Sequence, residues 1–426
     1  MLIRFRVENF RSIRDEQELS LVASPLSEHP EAVVRAGRFG VDLLRTAAIY
    51  GPNASGKSTV MHALEFMKSA VSDSQRTWAP DAKIPRSPFA LDASSAAEPS
   101  LWGVDLLLGG VRYEYGFVAD DSRILEEWLY AYPRGRKQEW FTRDASRGQE
   151  FEFSRLLKGE NRAISGFTRP NSLFLSAAAQ NNHAMLAPVY RWFSANLLVT
   201  DEQDMAGREL AASQICISET GRVPILGLLE SADLGITGLD VDVDDFPTFA
   251  DRWNIRSDTP EWREYADALP RVVTSVQLRH RTKVADVDES LPFDQESRGT
   301  RVLFGLAGLI VATLQTGGVL VVDELDRSLH PQLAMKIVEL FNEQGTNPKN
   351  AQLIFNTHDT NLLDSSLLRR DQVWFTEKGE DGATRLFPLT DFKARKHENL
   401  ERGYLQGRYG AVPALGNFDP QQSAAD

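Results

Sequence analysis

The chain has 426 residues, of which 42% are hydrophobic and 25% are charged, as in an ordinary folded protein. This length predicts two or three globular units, or one large α/β core with insertions. The net charge of −13 argues against a protein that coats nucleic acid through bulk charge, because phosphate binding needs a basic face. The single cysteine, Cys216, excludes an internal disulfide framework and favours a reducing compartment such as the cytoplasm.

The apolar segments indicate neither a signal peptide nor a membrane span. Residues 1–10 alternate charged and apolar side chains, which predicts a half-buried strand. The apolar stretch 302–322 is interrupted by Gln315, Thr316 and two glycines, and Asp323 follows it directly. We therefore expect a helix, a turn and a buried strand in this stretch rather than a transmembrane segment.

The N-terminal part predicts a strand, a glycine-rich loop and a helix in succession. An apolar run at 46–50 stops at Gly51, and residues 58–69 have helical spacing of apolar side chains. A loop rich in Pro, Ala, Ser and Asp follows at 79–99. After it, three runs separated by turn residues predict antiparallel strands. These runs are 101–108, 111–118 and 127–132.

The rest of the chain alternates between helix and strand patterns, which predicts a mostly parallel sheet. Residues 184–198 have a helix pattern, and 200–270 mixes short helical pieces with an acidic run. We interpret this middle part as an inserted helical or lid region. The acidic run comprises Asp240, Asp242, Asp244 and Asp245. The later predicted strands are 272–278, 319–322 and 352–356, and the later predicted helices are 300–314 and 332–342.

Residues 51–58 read Gly-Pro-Asn-Ala-Ser-Gly-Lys-Ser and match the phosphate-binding loop pattern between a predicted strand and a predicted helix. The glycines let backbone N–H groups face phosphate oxygens, and the helix N-terminus adds its positive dipole end. We expect Lys57 to neutralise the β- and γ-phosphates of ATP and Ser58 to bind Mg²⁺. The predicted nucleotide-binding residues are Gly51, Asn53, Ala54, Ser55, Gly56, Lys57, Ser58 and Thr59.

Two acids follow the buried run 319–322, which places them at the carboxyl edge of the predicted sheet. Asp323 is predicted to hold Mg²⁺, directly or through water. Glu324 is the natural general base for an attacking water. An apolar run that ends in acids is a weak pattern alone, but together with the phosphate-binding loop it predicts ATP hydrolysis.

Two further segments have both a functional and a structural interpretation. Ser297 and Gly299 open the helix at 300–314, and their free backbone amides form either an anion site or a simple helix cap. His358 follows the strand at 352–356, where it is either structural or a catalytic group at the sheet edge.

These segments occur in the order of an ABC-type ATPase head: P-loop, signature, Walker B, D-loop and switch histidine. They are 51–58, 297–299, 319–324, 326–331 and His358. The whole chain resembles the RloA-like AAA-family ATPases encoded in bacterial restriction and phage-defence operons. Residues 9–12 and the tail 389–410 also carry this resemblance, which has least support across 240–270.

The resemblance implies an α/β P-loop NTPase fold of ABC-ATPase type, with an antiparallel β subdomain and an inserted helical or lid region. It implies that Ser297 and Gly299 of one protomer touch the γ-phosphate bound by the other, and that His358 senses it. The signature departs from Leu-Ser-Gly-Gly-Gln at Arg298 and Thr300, which argues against a transporter subunit.

The resemblance leaves two roles open. Gln180 is the candidate Q-loop ligand of Mg²⁺, the alternative being an ordinary loop amide. Arg11 is either a phosphate contact or a surface arginine.

We divide the chain into four segments on these grounds. ATPase lobe I, with the P-loop and the antiparallel β subdomain, is predicted at 1–183, and the inserted region at 184–290. ATPase lobe II, with the signature, Walker B, D-loop and switch histidine, is predicted at 291–390. The aromatic and basic tail 391–426 either packs on its own domain or forms an interface.

The expected function is that of an ATPase that acts as a head-to-tail homodimer or larger homo-oligomer. The ATPase would be a switch or sensor for a separate effector in antiviral defence, without a membrane partner. One alternative is a RecF-like or SMC-like DNA-repair or DNA-maintenance ATPase, and another is a scaffold that binds ATP with little turnover. DNA could contact the basic patches 279–283 and 134–137, but the net charge does not support it.

Overall fold

Short runs rich in β-branched and aromatic residues form strands in the computed structural model. The structure describes residues 1–35, 37, 40–200, 204–232, 234–244, 272–282, 288–327, 329–396 and 398–412. The strands of the N-terminal half are β1 (Leu2–Glu8), β2 (Gln17–Ser20), β3 (Val33–Val34), β4 (Leu43–Leu44), β5 (Thr46–Tyr50), β6 (Ser100–Leu108), β7 (Val111–Ala119), β8 (Ile124–Tyr132), β9 (Gln138–Asp144) and β10 (Phe151–Phe153). The later strands are β11 (Leu197–Thr200), β12 (Ile236–Asp244), β13 (Val272–Arg281), β14 (Asp288–Pro292), β15 (Val319–Val322), β16 (Gln352–Asn356), β17 (Val373–Lys378) and β18 (Thr384–Pro388).

The helix at 298–316 begins and ends at recognisable capping residues. Ser297 caps the longest helix, and Gly317 ends it with a φ of 74°, which favours glycine. The helices are α1 (Lys57–Asp73), α2 (Ala93–Ala97), α3 (Asn161–Phe167), α4 (Phe174–Gln180), α5 (Ala187–Arg191), α6 (Met205–Cys216), α7 (Glu219–Ser231), α8 (Arg298–Thr316), α9 (Pro331–Asn342) and α10 (Leu400–Leu405).

The central sheet has the strand order β11-β15-β16-β5-β17-β18. Its first five strands run parallel, and β18 is antiparallel to β17 at the edge. Every residue of β5, β15 and β16 is buried, as expected when helices or a second sheet cover both faces of a parallel sheet. The predicted strands 46–50, 319–322 and 352–356 are confirmed with these bounds.

The second sheet is antiparallel, with the order β10-β9-β8-β7-β6-β1-β2. It confirms the predicted antiparallel β subdomain. The main apolar core lies between this sheet and α1, where the Phe66 and Trp102 rings are 4.5 Å apart. This packing holds α1, the helix that follows the phosphate-binding loop, against the antiparallel sheet.

The predicted helix 184–198 is confirmed in its middle part, 187–196, and differs from the structure at its ends. Helix α5 is short, a π-helical turn follows at Trp192–Asn196, and Leu197 then begins β11, which pairs in parallel with β15. The chain becomes a strand there because the apolar residues of β11 extend the central sheet. Part of the predicted inserted region 184–290 therefore belongs to the central sheet.

The inserted region also contains α6, α7 and a small antiparallel sheet of β12, β13 and β14. Most of the acidic run lies on β12, where the exposed Asp240 alternates with the more buried Leu239 and Val241. The charges obscured this alternation in the sequence. Asp245 and much of the segment 200–270 lie outside the described residues.

Helix α8 is long and apolar enough to cross a membrane by length and composition, but 61% of its most apolar window is buried inside the protein. One face packs with Leu306 and Ile310 against the central sheet, and another packs with Phe304 against α6 and the inserted sheet. A helix that is apolar on all sides is expected in such a core.

The described part of the tail packs on the ATPase sheet of its own chain. Tyr404 in α10 stacks on Phe375 of β17, with ring centroids 5.5 Å apart, and its hydroxyl donates to the Ala411 carbonyl oxygen at 2.9 Å. Its ring also lies 6.1 Å from that of Tyr50, the residue before Gly51. Tail packing therefore supports the strand that leads into the phosphate-binding loop.

We predict that Tyr404→Ala lowers the free energy of unfolding by about 3 kcal/mol, since it removes a buried ring from this stack. The matched control is Leu405→Ala in the same helix, where the side chain is 62% exposed. We expect this control to change stability by no more than about 0.5 kcal/mol. Urea denaturation measures both, and equal midpoints for the two variants would contradict the packing role.

Candidate nucleotide-binding site

The phosphate-binding loop joins β5 to α1 and has a backbone that favours glycine at two positions. Gly51 and Gly56 have φ values of 156° and 106°. A Cβ atom on Gly51 would collide with the backbone and hydroxyl of Thr376, and one on Gly56 would collide with Thr384. The loop therefore lies directly on the β17–β18 hairpin, and any side chain at these positions would displace it.

Lys57 is buried within this loop. Its Nζ atom donates to the carbonyl oxygens of Gly51 and Pro52, at 2.8 and 3.0 Å. Burial lowers the pKa of Lys57 to about 8, opposed by the charges of Glu324, Asp323 and Asp326. The ammonium group thus bonds to neutral carbonyl oxygens of the loop. A phosphate oxygen in their place would form a stronger, charge-assisted hydrogen bond.

A hydroxyl and a carboxylate meet at the end of the loop. Ser58 Oγ donates to Asp323 Oδ1 at 2.9 Å, which joins the start of α1 to the end of β15. Hydroxyl and carboxylate oxygens are the ligands that Mg²⁺ prefers, and this metal is held by few protein groups. The donor set formed by these two residues therefore fits Mg²⁺ bound together with a nucleotide.

Asn356, which the sequence analysis missed, organises the two acids. This buried residue ends β16, and its side-chain amide donates through Nδ2 to Asp323 Oδ1. Its Oδ1 accepts from the Glu324 backbone N–H at 2.6 Å, where Glu324 has a φ of 57°. One amide thus orients the predicted metal ligand and fixes the turn that carries the predicted base.

Glu324 and His358 both face the phosphate-binding loop. Glu324 Oε2 accepts from Arg327 Nη1 at 2.7 Å, so the predicted base has a cationic partner from the D-loop of its own chain. The His358 backbone N–H donates to Asp326 Oδ1 at 3.3 Å. Desolvation and then the Lys57 charge lower the pKa of His358, so its ring is uncharged at neutral pH.

These groups line one cavity of about 560 Å³. The cavity brings together the phosphate-binding loop, Glu324 and His358, and it adds Arg11, Ser12 and Lys378. The lining residues are Arg11, Ser12, Asn53, Ala54, Ser55, Gly56, Lys57, Ser58, Thr59, Glu324, His358 and Lys378. Gly51 and Asp323 join this set through their hydrogen bonds to Lys57 and Ser58.

Hydrogen bonds among three hydroxyl groups stabilise the phosphate-binding loop on the side of the β17–β18 hairpin. Thr384 Oγ1 lies 2.9 Å from the Ser55 carbonyl oxygen, which can only accept, so Thr384 donates to it. Thr384 Oγ1 is also 2.8 Å from Ser12 Oγ, which in turn lies 3.0 Å from Thr59 Oγ1. These hydroxyl groups connect the loop after β1 and the β17–β18 hairpin to the first turn of α1.

Ser297 and Gly299 line a different cavity, of about 580 Å³. Ser297 Oγ accepts from the Thr300 backbone N–H at 3.1 Å and caps α8. His330 and Lys336 also line this cavity, which shares no lining residue with the P-loop cavity. Within the part of the chain that the structure describes, the signature and the P-loop thus face separate spaces.

Gln180 is the last residue of α4, a helix that packs against α1. It is not among the described residues that line the P-loop cavity. Its role as a ligand of Mg²⁺ remains a prediction.

The parallel sheet, the P-loop after β5 and the acid pair after β15 define an α/β P-loop NTPase fold of ABC-ATPase type. A family model described as "AAA domain, putative AbiEii toxin, Type IV TA system" matches residues 47–209 and 226–364. The chain belongs to this AAA family. The family model spans the P-loop, the Walker B acids and His358.

The solved structures to which the chain is similar include heads of SMC proteins. One is an SMC head bound to the C-winged helix domain of ScpA, with 12% identity, a TM-score of 0.48, and coverage of 92% of this chain and 99% of that one. Another is the SMC head domain from Thermotoga maritima, with 13% identity, a TM-score of 0.41, and coverage of 91% and 98%. No curated protein matches the chain.

We predict that Asn356→Leu lowers the rate of ATP hydrolysis by about 10- to 100-fold, because Asp323 and Glu324 lose the amide that orients them. Asn361→Leu, which changes an exposed asparagine in the following loop, is the control. Steady-state hydrolysis at several Mg²⁺ concentrations measures the effect, and thermal melting separates it from unfolding. A wild-type rate and Mg²⁺ dependence in Asn356→Leu would exclude the orienting role.

Proposed function

We propose that the chain binds ATP with Mg²⁺ and hydrolyses it at a site that two copies form head to tail. The observation that carries this proposal is the contact of Ser58 with Asp323, which one amide, that of Asn356, holds together with the Glu324 backbone beside the phosphate-binding loop. Ser58 and Asp323 would hold Mg²⁺, which would neutralise charge between the β- and γ-phosphates when bound. Gln180 is proposed as an additional ligand.

In this proposal each side chain has one task. Lys57 exchanges its loop carbonyls for phosphate oxygens. Glu324 takes a proton from the attacking water, for which it must first leave Arg327, 2.7 Å away in the D-loop. His358, uncharged at neutral pH, accepts or donates a hydrogen bond at the γ-phosphate.

The separation of the two cavities supports a site shared between protomers. Ser297 and Gly299 lie at the N-terminus of α8, where the helix dipole favours an anion. Since they face away from the P-loop of their own chain, the γ-phosphate that they touch would belong to a second copy. We propose a homodimer as the smallest active form.

We further propose that the ATPase is a switch for a separate effector in the cytoplasm, in anti-phage defence. The description of its family, which mentions a toxin of a type IV TA system, supports a role beside another component. Phe392 and Leu405 of the tail are 39% and 62% exposed, so the outer face of this segment is our proposed effector or protomer contact.

A DNA-maintenance ATPase of the RecF or SMC kind is the alternative. Part of the proposed basic surface is already neutralised: Arg279 pairs with Asp240 at 3.1 Å, and His280 bonds to Glu296 at 2.7 Å. Lys137 lies over the Tyr130 ring. These contacts and the net charge of −13 favour the switch, and a salt-dependent DNA-binding assay distinguishes the two functions.

We predict that Glu324→Gln keeps its affinity for ATP but slows hydrolysis by about 100-fold or more, because the phosphate cradle remains while the base is lost. ATP-bound dimers should accumulate, as measured by light scattering after gel filtration. Glu152→Gln is the control, since Glu152 also pairs with an arginine, 2.9 Å away, but far from the site. Unchanged turnover in Glu324→Gln would remove this residue from the base role.

We predict that Ser297→Arg binds ATP almost normally but does not hydrolyse it, because the added cation blocks the γ-phosphate of the second copy. Ser218→Arg changes another serine that caps a helix, outside the signature cavity, and should remain active. Mixing Ser297→Arg with Lys57→Ala should restore part of the activity, since one interface of the mixed dimer then carries neither change. Mixed dimers without any activity would contradict independent shared sites.

A further inference from the structure

The loop between β1 and β2 lies along the first turns of α1 and contacts it through two consecutive side chains. Ser12 Oγ is 3.0 Å from Thr59 Oγ1, and Arg11 Nη1 is 2.6 Å from His62 Nδ1. Thr59 and His62 are three residues apart and therefore lie on one face of the helix. The second contact places a guanidinium group at the P-loop cavity, which Arg11 lines together with Lys57.

The backbone and the neighbouring ring also restrict Arg11. Its φ of 49° is unusual for a residue with a side chain, and its N–H donates to the Ser87 carbonyl oxygen at 2.6 Å. The guanidinium carbon lies 5.5 Å from the centre of the Phe10 ring. Among the described residues, Arg11 forms no ion pair with a carboxylate, in contrast to Arg14 in the same loop, which pairs with Asp15 and Asp381.

The chemistry of the contact determines where the protons are. A guanidinium group only donates hydrogen bonds, so the Nδ1 atom of His62 must be the acceptor, and the ring proton lies on Nε2. A neutral acceptor fixes the direction of the guanidinium group without neutralising its charge. A carboxylate in the same place would also fix it, but would cancel the charge that an anion needs.

We propose that His62 is a positioning residue that holds Arg11 as an uncompensated cation toward the phosphates of a bound nucleoside triphosphate. This inference rests on the proposed binding of ATP. The planar guanidinium group retains N–H donors beyond the one used by His62, and these can bind phosphate oxygens at two points. Arg11 would thus add one more cation, beside Lys57, Lys378 and the metal, to the charge that binds the nucleotide.

Three substitutions of His62 separate positioning from charge, with Mg-ATP binding measured by calorimetry. His62→Asn retains an acceptor near the place of Nδ1 and should bind within about twofold of the wild type. His62→Phe retains a ring but removes the acceptor, and should raise the Kd about tenfold through the loss of one charge-assisted contact. His62→Glu should raise it at least as much, because it holds Arg11 but neutralises it. Ser69→Ala, on the exposed face of α1, is the control.

A double-mutant cycle with Arg11→Gln tests whether His62 acts through Arg11. If it does, His62→Phe should cause no further loss of affinity in the Arg11→Gln background. Equal losses with and without Arg11, or wild-type affinity in both His62→Phe and His62→Glu, would overturn the inference. Lys57→Ala distinguishes failure of this inference from failure of the proposed ATP site. If Lys57→Ala abolishes binding while the His62 variants bind normally, the ATP site is supported and the positioning role of His62 is contradicted. If the wild-type chain does not bind Mg-ATP, both the proposed ATP site and the proposed role of His62 are contradicted.

Discussion

The site depends on three neighbouring parallel strands that end at the same edge of the central sheet. Strand β5 delivers the P-loop, β15 delivers Asp323 and Glu324, and β16, which lies between them, ends at Asn356. Because β16 is the middle strand, its last side chain can reach both acids of β15 while the P-loop lies on its other side. The amide of Asn356 is neutral and has both a donor and an acceptor, so it can serve a carboxylate and a backbone N–H at once.

The same strand also joins the two large sheets at its other end. Gln352, fully buried at the start of β16, accepts from the Leu2 backbone N–H at 2.6 Å. Its Nε2 donates to the carbonyl oxygens of Leu2 and Leu44, at 3.0 and 2.9 Å. A buried amide with all of these partners stabilises one relative arrangement of the sheets, since any shift would leave polar groups unpaired in the core. The loop that contains Arg11 and Ser12 follows β1. The hydrogen bonds of Gln352 to β1 therefore also help to position this loop against α1.

The sequence predicted the parts of the fold that have strong local signals. The short runs at 46–50, 319–322 and 352–356 are apolar through most of their length, as expected of buried strands in a parallel sheet, and their bounds agree with the structure. Residues Lys57, Ser58 and Asp323 were predicted as site residues because the P-loop and the Walker B acids are fixed patterns of residue type, and the structure brings Ser58 and Asp323 to 2.9 Å. The first two residues of β11 were assigned to the helix 184–198, because a four-residue strand is too short for its period to be recognised and its pairing with β15 is a tertiary contact.

The roles of Asn356 and His62 were invisible to sequence reasoning for a different reason. An asparagine after a strand and a histidine on a helix are both most often structural, and only the distances to Asp323 and Arg11 distinguish them. In each case a neutral side chain orients a charged one without changing its charge. This choice is expected near a polyphosphate site, where cations must keep their charge for the ligand and carboxylates must keep theirs for the metal.

A polar contact between two side chains connects the inserted region to the signature segment. His280 of β13 bonds to Glu296, the residue before Ser297, and the Glu296 side chain is only 4% exposed. From Ser297 the buried helix α8 leads through Gly317 to β15 and Asp323. A displacement of the small sheet would therefore act at the N-terminus of α8, because Glu296 cannot move without losing its partner or becoming a buried charge without one. Helix α8 in turn cannot shift without disturbing the strand that carries the acids, so the signature segment and the acid pair are parts of one packed unit.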